Sequence, residues 1–243
     1  MIKVGQRIAT ATGVMLADMN GLGNLVHSAA ESLFDPNFWS ARGELSVVSG
    51  GRGSAWFVGS AAQPFVLRHY RRGGFIARLS QDGYWWAGED RVRAFAEWRL
   101  LDYLAQRGLC VPKPVAAFYR RTGMTYRCDL ITRRIADAQS LSEVLAQGSL
   151  PEGTWRVIGA AIARLHSHGV DHADLNAHNV LVDGNQGISV IDFDRGRLRT
   201  PGRWASRNLQ RLERSLAKIS LSLPPDRFTP ADWKQLLAGY QAG

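Results

Sequence analysis

The run 172-HADLNAHNVLVDGNQGISVIDFDRGR-197 sets Asp174, Asn179 and Asp192 close together around two apolar, strand-like segments, VLV and ISVID. Either the three polar residues ornament a β-hairpin, or they converge on one charge. A carboxylate just beyond a helix-ending turn can orient a hydroxyl nucleophile and accept its proton, a role that suits Asp174. An amide oxygen five residues later and a carboxylate beyond the next hairpin can bind Mg²⁺. That hard cation takes oxygen ligands and shares them with substrate phosphates, so the roles suit Asn179 and Asp192.

Two kinds of segment have to position these residues. In the first half, 45-LSVVSGGRGSAWFV-58 reads as strand, glycine turn and strand, and 64-PFVLRHY-70 as a further strand. Ala94, Trp98, Leu101 and Leu104 recur at helical spacing between Arg91 and Gly108, with Gly108 and Pro112 as a stop. Phe118 and 126-YRCDLITRRI-135 add strands. In the second half, Ser140 or Ser142 can cap a short helix, and 152–169 carries an apolar stripe at 158, 161, 162 and 165. The segment 203–220 puts Leu209, Leu212, Leu216 and Ile219 on one side and Arg203, Arg207, Arg211, Arg214 and Lys218 on another. A last helix is expected over 230–241, with Thr229 as cap and Pro230 in its first position. The expected organisation is a β-rich lobe over 1–131, a linker near 132–140 and a helical lobe over 132–243.

Composition narrows the classes. The chain has 243 residues, 45% of them apolar, enough for a real core and outside the disordered and fibrous classes. Two cysteines, Cys110 and Cys128, are too few for a disulfide framework, and neither has zinc-ligand spacing to a second Cys or His. A reducing compartment fits. The apolar stretch over roughly 8–34 is interrupted by Asp18, Asn20, Asn24, His27 and Glu31, so neither a signal peptide nor a spanning helix is expected there. Thirty Lys plus Arg against 21 Asp plus Glu give a net charge of +9, nearly all of it from arginine. Planar guanidinium forks suit phosphate and carboxylate, so an anionic partner is expected, although charge alone does not separate nucleic acid, anionic lipid and sugar phosphate.

The motifs resemble the protein-kinase-like superfamily. HADLNAHN at 172–179 is similar to the catalytic loop H-R-D-x-x-x-x-N, and IDFD at 191–194 to the D-F-G region. Upstream, 50-GGRGSAWFV-58 resembles the glycine-rich loop, in which Gly50, Gly51 and Gly53 let backbone N–H groups approach ATP phosphates. Arg68 in FVLRHY stands where the family pattern V-A-I-K has lysine, and Glu97 on the following helix is the acid expected to pair with it. Arginine holds phosphate bidentately and with permanent charge. The resemblance implies an α+β, two-lobed kinase-like fold: a small β-rich N-lobe, a helical C-lobe and an ATP cleft between them, with backbone near Thr132 to Arg134 bonding adenine. His172 and His178 are expected to pack or hydrogen-bond within the loop.

The acceptor is expected to be a small molecule or a lipid-linked group. Ala173 replaces the arginine that in many protein kinases receives a phosphorylated activation loop, Asn176 stands where a lysine is usual, and nothing similar to A-P-E follows Asp192. VLRHYRRGG (66–74), HADLNAHNVLVD (172–183), IDFDRGRLR (191–199) and RNLQRLERSLAK (207–218) together look closely like the 3-deoxy-D-manno-octulosonic acid (Kdo) kinases of Gram-negative bacteria. That resemblance implies transfer from MgATP to the 4-hydroxyl of Kdo on a lipid A precursor, in lipopolysaccharide inner-core assembly at the cytoplasmic face of the inner membrane. It implies the Kdo-bearing lipid and an anionic membrane surface as partners, and no nucleic acid. Arg195, Arg197, Arg199 and the 203–218 stripe would face those anions. Trp85, Trp86 and Trp204 are either interfacial or, the commoner case, buried. Three alternatives remain: a small kinase of tRNA modification, an aminoglycoside- or choline-type phosphotransferase, and a non-catalytic kinase-fold scaffold.

Overall fold

The computed structural model describes residues 5–22, 30–47, 55–71 and 82–243. The chain divides into two compact units: Met1–Asp102 with Lys113–Arg134, and Tyr103–Pro112 with Ile135–Gly243.

The first unit is built on an antiparallel sheet. Its strands are β1 (Gln6–Ala9), β2 (Val14–Ala17), β3 (Leu45–Val47), β4 (Ala55–Val58), β5 (Phe65–His69), β6 (Tyr84–Trp85), β7 (Pro114–Thr122) and β8 (Thr125–Arg133). They run in the order β1-β2-β7-β8-β5-β4-β3, with β6 added on β8. Alternation along β5 separates two environments, because successive side chains of a strand leave on opposite faces. Phe65 and Leu67 are buried with Trp39 of helix α1 (Pro36–Ser40), Phe118 and Ile131. Arg68 and Tyr70 take the other face, where helix α2 (Arg93–Ala105) buries Ala94, Trp98, Leu101 and Leu104, the four residues of the expected stripe. The N-terminal strands were not foreseen. β2 pairs with β7, and Met15 and Ala17 join the core, so the interrupted apolar stretch at the N-terminus contributes a strand to the sheet ahead of a single helical turn at Met19–Leu22.

The second unit contains β9 (Ala138–Ser140), helix α3 (Leu141–Gln147), helix α4 (Thr154–Ser167), β10 (Val170–Asp171), β11 (Val180–Asp183), β12 (Ile188–Val190), β13 (Arg197–Leu198), helix α5 (Trp204–Ser220) and helix α6 (Pro230–Ala242). Local chemistry sets its helix starts. Ser140, not Ser142, caps α3 in a reciprocal box with Glu143, and Thr229 does the same with Asp232 ahead of Pro230 in α6. Helices α4 and α6 cross at two glycines. A Cβ on Gly159 would lie 2.0 Å from the Leu236 carbonyl oxygen, and one on Gly239 would lie 2.1 Å from that of Arg156, so only glycine permits this approach.

The half-buried His166 of α4 links three helices. Its ring meets Trp204 of α5 edge-on, with centroids 5.2 Å apart, and its Nδ1 is 2.9 Å from the Tyr240 hydroxyl of α6. Burial pushes its pKa from the ordinary 6.5 down to about 4. The unfolded chain therefore binds a proton that the folded chain refuses between these values, and stability is expected to fall as pH drops from about 6.5 to about 4. The loss has an upper bound of about 3 kcal/mol. Thermal melts between pH 7 and pH 4.5 check this. His166→Gln is expected to flatten its share of the slope, and an unchanged slope would refute the assignment. His172, also held neutral by burial, contributes in the same direction and keeps part of the slope in that variant.

Candidate active site

In the second unit β10 ends at Asp171, and the loop after it carries Asp174 and Asn179 into β11. Antiparallel pairing of β11 with β12 returns the chain to Asp192. The turn between these strands closes on itself, with Asp183 Oδ1 accepting from the N–H groups of Asn185 (2.9 Å) and Gly187 (2.8 Å). The hairpin alternative was thus correct as local structure, but the hairpin is also what joins the polar residues.

Backbone bonds tie these residues into one constellation. Asn179 Nδ2 donates to the Asp174 carbonyl oxygen (2.9 Å), and the Ile191 N–H donates to the Asn179 carbonyl oxygen (2.9 Å). His172 completes the link: its Nδ1 accepts from the Asp174 N–H (3.2 Å), and its Nε2 donates to the Ile191 carbonyl oxygen (3.0 Å). Those two partners select the neutral tautomer with the proton on Nε2, in keeping with burial that holds its pKa below the ordinary value. The ring also meets Phe193 edge-on at 4.8 Å, and Phe193 is buried. His172 is therefore a packing and hydrogen-bonding residue of the loop, as expected, and His178 likewise bonds Ser142 Oγ through Nδ1 (2.7 Å).

The donor set suits a hard cation. With its Nδ2 committed to Asp174 O, the Asn179 amide presents Oδ1, the oxygen such an ion needs. Asp192 adopts φ 63, a left-handed conformation that costs most L residues energy and that Asn and Asp tolerate best. Among the described residues no group of three or more His, Cys, Asp and Glu is placed to hold a metal. An ion at Asn179 and Asp192 would have to complete its shell with phosphate oxygens and water, which is the habit of Mg²⁺.

Helix α5 docks on this loop through residues that the apolar and basic stripes did not reveal. Buried Asn208 accepts from the His172 N–H (2.9 Å) through Oδ1 and donates to Asp171 Oδ1 (3.0 Å) through Nδ2. One turn on, Arg211 Nη1 reaches Asp174 Oδ1 at 3.4 Å, and the next turn brings Ser215 Oγ to the Ala177 N–H at 3.1 Å. The only trace of this in the sequence is their shared helical face. Leu212 and Leu216 are buried as expected, whereas Leu209 and Ile219 are half-buried.

In the first unit Arg68 and Glu97 come together as an ion pair. Glu97 is 4% exposed, which rules out its reading as a solvated helix residue. Tyr70 was not foreseen, although it lies on the same side of the chain as Arg68, two residues on. Its hydroxyl accepts from Arg68 Nη2 (2.8 Å) and donates to Glu97 Oε2 (2.5 Å), and its ring lies 4.6 Å from the guanidinium carbon. Burial pushes the Tyr70 phenol well above its ordinary pKa, so it remains a donor. Gly50, Gly51 and Gly53 lie outside the described residues. In the segment expected to bond adenine, the N–H groups of Arg133 and Arg134 donate to Lys113 O (2.8 Å) and Pro64 O (3.1 Å).

Phosphoryl transfer asks a protein for little covalent chemistry. It asks for a positioned acceptor hydroxyl, a hard cation on the phosphates and a fixed positive charge, all supported rigidly. The two units carry side chains suited to each task, and the class they define is the protein-kinase-like phosphotransferases. Residues 36–240 match the family model described as "Lipopolysaccharide kinase (Kdo/WaaP) family". Relatives named 3-deoxy-D-manno-octulosonic acid kinase include one from Stenotrophomonas maltophilia (strain R551-3), 46% identical over 210 residues, covering 85% of this chain and 81% of the relative. One from Xanthomonas axonopodis pv. citri (strain 306) is 48% identical over 208 residues, again covering 85% and 81%. A third, from Vibrio vulnificus (strain YJ016), is 40% identical over 219 residues, covering 89% and 92%. The chain belongs to the lipopolysaccharide kinase (Kdo/WaaP) family.

Proposed function

We propose that this protein transfers the γ-phosphate of ATP to the 4-hydroxyl of Kdo on a Kdo-bearing lipid A precursor, in the assembly of the lipopolysaccharide inner core. The observation that carries the reading is the loop in which Asp174, Asn179 and Asp192 are held together by bonds through His172 and Ile191, within a chain of this family. Asp174 orients the sugar hydroxyl and takes its proton as the in-line attack proceeds. Asn179 Oδ1 and the Asp192 carboxylate would hold Mg²⁺, which would neutralise phosphate charge. Arg68, oriented by Glu97 and Tyr70, grips the phosphates, and Gly50, Gly51 and Gly53 offer backbone N–H groups to them.

A peripheral site of action on the cytoplasmic face of the inner membrane belongs to the same proposal. No helix among the described residues is long and apolar enough to cross a membrane. Arg195, Arg197, Arg199, Arg203, Arg207, Arg211, Arg214 and Lys218 are all exposed, a cationic surface suited to anionic headgroups. Of the three tryptophans, Trp204 is buried and donates to Thr200 O (2.7 Å), and Trp86 lies against Tyr119 and Tyr126. Only Trp85, 62% exposed, suits an interface.

The deciding experiment follows labelled γ-phosphate from MgATP to the Kdo-bearing lipid beside the same lipid without Kdo. Transfer that requires Kdo, with the label on its 4-position, is the expected result. Equal labelling of both lipids, or none with ATP bound, would refute the assignment.

A further inference from the structure

We propose that Arg211 is a specificity-determining residue: its guanidinium takes the carboxylate of the sugar-acid acceptor while steadying Asp174 beside the hydroxyl to be phosphorylated. This rests on the reading of Kdo as the acceptor.

The placement of Arg211 is set by its neighbours on α5. Asn208 bonds both His172 and Asp171, and Ser215 bonds Ala177, so the helix is fastened to the loop one turn before Arg211 and one turn after it. Between these anchors the helix face that carries Arg211 is held toward Asp174. It makes a single long contact there, Nη1 to Oδ1 at 3.4 Å, and its side chain is 48% exposed. Among the described residues Nε and Nη2 have no protein partner, so most of a five-donor fork is presented to solvent beside the residue assigned as base.

The loop itself offers no other cation at this place. Asn176, two residues after Asp174, is uncharged; its Nδ2 donates to Asp174 O (3.0 Å) and its Oδ1 accepts from the His178 N–H (2.9 Å). Arg211 is also the only member of the 203–218 stripe whose guanidinium or ammonium pairs with an acid among the described residues. A carboxylate and the reacting hydroxyl belong to one sugar in the proposed acceptor. A guanidinium anchored to the residue that receives the hydroxyl is therefore placed to receive the carboxylate, and planar forks match carboxylates with two parallel bonds.

The test crosses the protein with the acceptor. Wild type and Arg211→Gln are each assayed with the Kdo-bearing lipid and with its carboxyl methyl ester, and the KM for ATP is measured in both proteins. Wild type is expected to lose about 10- to 100-fold in kcat/KM on the ester. Arg211→Gln is expected to show a similar loss on the native acceptor, at most about 2- to 3-fold further loss on the ester, and an unchanged KM for ATP. Arg211→Lys, which keeps the charge without the fork, should fall between them. A purely structural role for Arg211 would depress both acceptors equally and leave the discrimination intact, which would overturn the proposal. A raised KM for ATP with discrimination retained would overturn it in favour of a phosphate-binding role. No transfer by wild type to the native acceptor would overturn the Kdo reading and this assignment with it, whereas active wild type with a discriminating variant overturns this assignment alone.

Discussion

Asp174→Asn protein is expected to fold and bind MgATP as the wild type does, while transferring phosphate about 10³-fold more slowly, because an amide cannot accept the hydroxyl proton. The loop should survive because its scaffold at this position is backbone. The Asp174 N–H donates to His172, and its carbonyl oxygen accepts from Asn176 and Asn179. The side chain is 58% exposed, with Arg211 as its ion-pair partner, and asparagine keeps an oxygen for that contact. The loss should therefore appear in kcat, with the KM for ATP and the melting temperature close to wild type. Steady-state kinetics with labelled ATP beside a thermal melt separates these quantities. Near-normal kcat would remove Asp174 from the chemistry and send the search for the base elsewhere.

The second large effect is expected at Arg68. Replacement by Met takes a guanidinium away from a carboxylate that is only 4% exposed, and removing one member of a buried pair costs about 3 kcal/mol or more. Arg68→Lys is the more informative change. The arginine meets the Glu97 carboxylate and the Tyr70 hydroxyl through Nη2, and its guanidinium carbon lies 4.6 Å from the Tyr70 ring. A lysine ammonium keeps the charge but cannot reproduce the planar stacking together with both bonds. Arg68→Lys is expected to remain folded with a melting temperature between those of wild type and Arg68→Met, and to raise the KM for ATP about 10-fold or more. Equal ATP affinity in Arg68→Lys and wild type would show that charge alone suffices there. That outcome would weaken the reading of the arginine as more than a replacement for the family's lysine.

Much of the fold was legible because its signals are local. Caps at Ser140 and Thr229, Pro230 at a helix start, and the apolar stripe of α2 each act within a turn or two of the residues that display them. The elements that escaped are defined by distant partners. β1 and β2 are four residues each, and their hairpin joins the sheet through pairing of β2 with β7, roughly a hundred positions on. β10 and β13 have two residues each and exist as strands through one another. Trp204 illustrates the same limit, since its position beside a cationic stripe left an interface open beside the commoner case of burial. Its burial against His166 follows from the docking of α5 on α4.

Residue types and their order along the chain were sufficient to locate the carboxylates, the amide and the arginine, and to indicate phosphoryl transfer, because that chemistry demands particular donor atoms at particular intervals. Tertiary structure alone decided how those atoms are aimed. The Asn179 amide presents its oxygen because its nitrogen is spent on Asp174, and Asp192 sits in a left-handed conformation. Arg211 reaches Asp174 because Asn208 and Ser215 fasten its helix to the loop. Each of those bonds in the helix joins residues more than 30 positions apart, and its geometry depends on packing that no local pattern encodes.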